Sequence, residues 1–280
     1  TEPNAWYKSN DEEYYADNTE YDNLELAAIE LYRLTNNISY LQDAEEFAKL
    51  AVEANWASWA NCNMLAHSTL MEYSESANNL LLSDLMYFNQ IRNASQNLWK
   101  VPHESTWGTL YSYFEVANGA MMYQKMSKSN SYEPMVLDVL HYFFGRNPWG
   151  IAFIASKKLP KSITSTYSVI HRLQPHIFPT GEIAEGPTSK AIHDNNSKWF
   201  SPAHNKNLWH KEFNSADFLF FEQPGDFVCM ETTITGLADG LFLLATASHL
   251  YNEPESISIN SIDLNAISIS TKNNAITYTT

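Results

Sequence analysis

Residues 227–250 read FVCMETTITGLADGLFLLATASHL. The stretch is apolar on nearly every face, which predicts one helix buried on all sides rather than a helix with a wet face. Glu231 interrupts it near its start, just after PGDFVCM. A carboxyl entering a buried helix is costly unless it is paired or put to use. Desolvation there raises its pKa, as a general acid at neutral pH requires. The competing reading is a helix-start glutamate favoured by the helix dipole.

Upstream of this stretch the sequence is also helical. In YDNLELAAIELYRLT (21–35), Asp22 is placed to cap a helix, with Glu25 three residues on. Leu24, Ala27, Ala28, Leu31 and Leu34 fall on one helical face. In SYLQDAEEFAKLAVEA, Phe47, Leu50 and Ala51 share one side, and Asp43, Glu46 and Lys49 turn to water. Segments 60–73, 77–92, 107–127 and 134–144 are helix-like too, about seven helices in all counting the last. Residues 1–20 read as a loop. Residues 146–226 hold Pro148, Pro160, Pro175, Pro179, Pro187, Pro202 and Pro224, so long helices are excluded there. Such long irregular segments are often where functional groups lie. After residue 252 the pattern changes to SISINSIDLNAISIS, then KNN, then AITYTT, which reads as strand, turn, strand. The expected division is a helical domain over 1–252 and a short β extension or start of an appended module over 253–280.

Composition narrows the function. The chain has 280 residues, 32 acidic against 17 basic, and a net charge of −15. That charge argues against nucleic-acid binding, which needs clustered Lys and Arg. An apolar share of 44% with 14% aromatics excludes a disordered acidic tail. No apolar run is long enough to span a bilayer as a helix. Only Cys62 and Cys229 occur, without metal-ligand spacing, so they read as unpaired thiols, with a single disulfide as the alternative. No phosphate-binding loop, G-x-G-x-x-G, H-E-x-x-H or G-x-S-x-G is found. The chain opens on Thr1 without Met, which reads as a removed leader or as part of something longer.

Two further groups of residues bear on chemistry. His171, His176, His193, His204 and His210 lie in the long irregular segment, at spacings that fit no standard metal pattern. Trp56, Trp59, Trp99, Trp107, Trp149, Trp199 and Trp209 read either as core packing or as platforms for sugar rings. A pyranose offers an apolar face to an indole and needs polar partners at its edge, which the Asn and acidic residues supply.

Five ordered blocks carry a resemblance. They are DNLELAAIELYRLTNNISYL (22–41), VLDVLHYFFGRNPWGIAFI (136–154), VIHRLQPH (169–176), GEIAEGP (181–187) and PGDFVCMETTITGLADGLFLLA (224–245). Together they resemble the C-terminal part of a glycoside hydrolase family 9 catalytic domain, over roughly residues 20–250. The resemblance implies an all-α (α/α)6 barrel, incomplete on its N-terminal side. It implies cleavage of β-1,4-glucans with inversion. Glu231 falls on the acid, His171 and Arg172 on a pair that binds sugar hydroxyls, and Asp226 on the Asp of the last block. Trp107 is the candidate stacking residue. The chain departs from the family pattern at Ile170, Glu185, Met230, Gly236 and Leu237. The block carrying the base is absent; Asp11, Asp17 and Asp22 do not replace it. The base is therefore expected on an N-terminal segment outside this chain, which would also be its partner.

Other expectations follow from the same reading. No metal site and no required cofactor are expected; the Asp and Asn oxygens of the loop would suit a structural calcium. The partner is a β-glucan polysaccharide or oligosaccharide, not nucleic acid or membrane. Such a polymer implies an extracellular or periplasmic, secreted protein. Asn37, Asn93 and Asn195 stand in glycosylation sequons. The rival readings are a non-catalytic carbohydrate-binding member of the fold and a polysaccharide lyase on an α/α toroid.

Overall fold

In the computed structural model the described residues are 7–9, 12–14, 20–51, 57, 61–103, 107–200, 207–252, 268–272 and 275–279. Thr1–Leu243 form one compact unit and Leu244–Thr280 a second. Trp56, Trp59 and His204 lie outside the described residues, as do Asp11, Asp17 and residues 253–267.

The first unit opens on a short antiparallel hairpin, β1 (Tyr7–Ser9) and β2 (Glu12–Tyr14), with Tyr7 opposite Tyr14. This corrects the loop expected over residues 1–20. Tyr is a good strand former, and a two-residue connection is enough for antiparallel pairing.

Six helices follow: α1 (Tyr21–Thr35), α2 (Ile38–Leu50), α3 (Asn63–Leu70), α4 (Ser76–Asn93), α5 (Thr109–Ser127) and α6 (Glu133–Phe143). Each packs on the next in the pairs α1 with α2, α3 with α4 and α5 with α6, and α3 also touches α1 and α5. Ile29, Leu70, Ala44 and Ala77 close the core between α1 and α4, flanked by Tyr32 and Phe47. Burying a side chain such as Ile29 or Leu70 contributes about 1.5–3 kcal/mol.

Helix α1 reverses the expected face. Ala28 is buried as read, but Leu24, Leu31 and Leu34 are exposed, Leu34 by 80%. The inward face carries Asp22, Glu25, Ala28 and Ile29. Asp22 does not cap the helix: its Oδ2 accepts the Cys62 N–H at 2.7 Å, and the position before the helix is Glu20. His67 Nδ1 lies 2.9 Å from the Glu25 carboxyl. These polar groups hold α1 to α3, and the leucines on the opposite face stay outside.

The block FFGRNPWG is a lock for the start of the irregular segment. Asn147 Nδ2 donates to the carbonyls of Tyr142 and Ile151, both at 2.7 Å. Trp149 is fully buried, and its indole N–H donates to Asn214 Oδ1 at 2.7 Å. Further on, the fully buried Glu222 carboxylate accepts the N–H groups of Thr164 and Ser165 and the Asn207 amide. Among the described residues of this segment only short helices occur, including α7 (Val169–Leu173) and α8 (Lys190–Asn196). The segment is thus held by buried polar contacts in place of long helices.

The single helix expected over 227–250 is two: α9 (Phe227–Met230) and α10 (Ile234–Asn252). The break falls at 231–233. Thr232 and Thr233 are β-branched and weak helix formers. Thr232 Oγ1 donates to the Ile183 carbonyl at 3.0 Å, and Thr233 Oγ1 accepts the Gly236 N–H at 3.1 Å. Nor is α10 buried all round: Ile234, Leu241 and Phe242 are exposed. Its seat on α5 depends on two glycines. A Cβ at Gly236 would overlap the Tyr111 ring, and one at Gly240 would lie 2.7 Å from Ile183 Cδ1.

The second unit holds the end of α10 and an antiparallel hairpin, β3 (Ser268–Lys272) with β4 (Ala275–Thr279). Among the described residues the two strands pair as the period-two pattern indicates; most of the first expected strand and the connection between the two strands lie outside the described residues. Both cysteines are unpaired, Cys229 buried and Cys62 half-buried. Replacement of Gly236 by Ala is expected to lower stability by about 1–3 kcal/mol in urea unfolding, because Tyr111 must move. A Gly236→Ala protein as stable as wild type would contradict that packing.

Candidate functional site

The site is built on three chain segments that meet at Glu231. Residues 229–231 lie between Tyr167 on one side and 185–186 on the other. The Tyr167 N–H donates to the Met230 carbonyl at 2.7 Å, and the Gly186 N–H to the Cys229 carbonyl at 2.9 Å. The Glu231 carbonyl accepts the Glu185 N–H at 3.0 Å. The Tyr111 hydroxyl, 2.8 Å from the Ile183 carbonyl and 3.1 Å from that of Glu231, adds a contact from α5. The Glu231 backbone is thereby fixed while its side chain stays half-buried. Desolvation raises the Glu231 pKa above the usual carboxylate range.

Glu185 is the neighbour that sequence reading noted as a departure but gave no role. It is buried, and its Oε2 accepts the Trp107 indole N–H at 3.0 Å. Burial pushes its pKa well up; the Glu231 charge adds to that, the Trp107 hydrogen bond opposes it, and the Asp226 charge raises it further. Burial of Glu185 therefore favours its neutral form. Gly108, in the left-handed region at φ 65°, leaves room for it: a Cβ there would lie 3.2 Å from Glu185 Oε1. The signal in the sequence was an acidic residue inside the otherwise apolar IAEGP. Tyr111 and Tyr167 gave no such signal, because tyrosines in an aromatic-rich chain read as packing.

The aromatic residues gather on Phe227. Trp107 stacks on it at 5.6 Å between ring centres, and Tyr167 and Phe200 meet it edge-on. The Arg172 guanidinium lies 4.6 Å over the Tyr167 ring and donates to its hydroxyl at 2.9 Å. Contacts thus link Trp107, Arg172 and Glu231, three of the residues singled out in the sequence. His171 is buried on α7, with Nδ1 3.1 Å from the Ile177 carbonyl. Donation from Nδ1 leaves Nε2 as the acceptor.

Asp226 sits differently from the expectation of a sugar ligand. It is fully buried, Oδ1 accepts the Cys229 N–H at 3.0 Å as the cap of α9, and Oδ2 faces His193 Nε2 at 2.9 Å. It shapes the turn that presents Glu231, and its carboxylate faces inward and not toward solvent. Of the departures, Met230 is fully buried and Gly236 gives its space to the Tyr111 ring.

These buried carboxyls set a pH dependence. Glu185 and Glu231 hold their protons more tightly folded than unfolded, and burial pushes Asp239 to about 6. Their contribution is fully present below the unfolded carboxylate range and is lost as pH rises through the folded values. Glu185→Gln keeps an acceptor for Trp107 and removes that loss. Its melting temperature should match wild type near about pH 4 and exceed it near about pH 8. A variant less stable than wild type at the higher pH would contradict this.

Comparison with known protein families gives a match over most of the chain. The model for glycosyl hydrolase family 9 matches residues 2–239. A search of curated proteins finds no significant match. Several solved structures share the fold. A single mutant of a thermostable endoglucanase from Alicyclobacillus acidocaldarius aligns with a TM-score of 0.67 and 14% identity, over 85% of this chain and 45% of that one. A C. cellulolyticum cellulase in complex with cellobiose aligns at 0.64 and 16%, over 87% and 54%. An endoglucanase from the termite Nasutitermes takasagoensis aligns at 0.59 and 17%, over 84% and 53%. The chain spans about half the length of these structures.

Proposed function

The chain belongs to glycosyl hydrolase family 9, with the all-α toroid fold of that family, and we propose that it supplies the acid-bearing part of a secreted enzyme that hydrolyses β-1,4-linked glucan with inversion. The observation that carries this reading is the Glu231 carboxyl: half-buried, raised in pKa, and anchored by its backbone to Glu185 and Tyr111. A cellulase of similar fold was solved with cellobiose, which supports a cellulose-type substrate.

In this mechanism Glu231 gives its proton to the glycosidic oxygen as the leaving sugar departs. A base on a separate, N-terminal segment activates water on the opposite face of the ring. The two carboxyls of an inverting pair stand about 6.5–9.5 Å apart, leaving room for that water. Glu231 becomes anionic in the step, and burial of the neighbouring Glu185, which favours its neutral form, limits a second negative charge in the site. Trp107 offers a stacking surface, and Arg172 and His171 direct polar groups at sugar hydroxyls. Asp226 acts through the turn it caps.

The same segment that brings the base would cover the exposed apolar faces: Leu24, Leu31 and Leu34 on α1, and Ile234, Leu241 and Phe242 on α10. Apolar faces of this kind mark association surfaces. A second reading, a carbohydrate-binding member without hydrolysis, is supported by Met230 and Gly236, which serve packing here.

The test uses the chain together with the base-bearing segment, on soluble β-1,4-glucan, with release of reducing ends as the readout. Glu231→Gln should lower turnover by about 10²–10⁴-fold, the usual contribution of general acid catalysis. Unchanged turnover would remove Glu231 from the role. Glucan binding by wild type with no reducing ends released would favour the binding reading.

A further inference from the structure

At α9, three metal-capable side chains from two parts of the chain converge. They are His193 on α8, Asp226 at the start of α9 and Cys229 within α9; one ligand atom of each lies within 4.8 Å of the other two. Asp226 and Cys229 are fully buried, and the His193 side chain is 12% exposed. We propose that His193, Asp226 and Cys229 form a binding site for a divalent metal of zinc type, one turn before the proposed acid.

The donor set fits that ion. Imidazole, thiolate and carboxylate are all zinc ligands, with bonds of about 2.0–2.3 Å. Ligand atoms around a tetrahedral ion then stand roughly 3.5 Å apart, so the group needs to close by about 1 Å. The parts are already aimed. Asp226 spends Oδ1 on the Cys229 N–H and keeps Oδ2 toward His193. The Cys229 thiol makes a weak contact, 3.9 Å, to the Leu219 carbonyl. His193 Nδ1 is buried without a hydrogen bond, 3.6 Å from the half-exposed Asp194 carboxylate. A small movement of Asp194 would pair that nitrogen, and ligating histidines are usually held in this way by an outer carboxylate. A water completes the fourth position.

The step balances simply. Zinc takes His193 Nε2, Asp226 Oδ2 and Cys229 Sγ; the thiol proton leaves to solvent, and the proton that Nε2 gives to Asp226 without metal is exchanged through solvent for one on Nδ1. Metal would tie α8 to the turn that presents Glu231.

Cobalt(II) reports this site directly, because a cobalt–thiolate bond gives a near-ultraviolet charge-transfer band. The untagged chain, stripped with chelator, should develop the band to one equivalent of Co²⁺, and Zn²⁺ should displace it. Cys62→Ser should keep the band and Cys229→Ser should lose it. His193→Asn, a change at the least buried ligand, should weaken cobalt binding by more than about tenfold, the low end of what even outer-shell changes cost. No band with folded wild-type protein, or a band that survives in Cys229→Ser, would overturn the proposal. Neither readout requires glucan hydrolysis, so the site stands or falls apart from the proposed activity.

Discussion

The backbone of Glu231 is the junction on which the rest of the molecule depends. Its carbonyl does not serve a helix. It accepts the Glu185 N–H and lies within reach of the Tyr111 hydroxyl. Those contacts end α9 and delay the start of α10 to Ile234. They bind α5, the irregular segment and the last helix into one site. A continuous helix through 227–250 would have turned that carbonyl along its own axis and released all three.

The electrostatics follow from the same junction. Glu185 and Glu231 sit close enough for the charge of one to raise the pKa of the other, and burial favours the neutral form of both. The chain carries a charge of −15, yet burial raises the pKa of Glu185 and Glu231. This suits proton donation near neutral pH, since an acid works best with a pKa close to the working pH. It also makes the contribution of these two carboxyls fall as pH rises through their folded values.

Much of this was legible in the sequence, and the exceptions have physical causes. The periodicity located α1 through α6, and among the described residues of the proline-rich stretch only short helices occur, as expected. Periodicity says which residues share a face, but not which face the fold covers. In α1 the buried side is set by Asp22 and Glu25, which bond to Cys62 and His67 more than thirty residues away. The break at 231–233 depends on Tyr111 and Ile183, also distant in sequence. Glu185 stood out in the sequence as a departure from a glycine, but its partner Trp107 lies 78 residues away. Asp226 fell on a family position, while its burial depends on His193 from α8.

The junction gives Glu231 a carboxyl that stays protonated above the ordinary range, and this property can be measured without substrate. Carbon-13 NMR titration of the glutamate carboxyls in the folded chain, with Glu231→Gln to identify the signal, reads that value directly. The Glu231 signal should titrate above the ordinary glutamate value of about 4.3. A Glu231 signal at or below that value would contradict the role assigned to the junction.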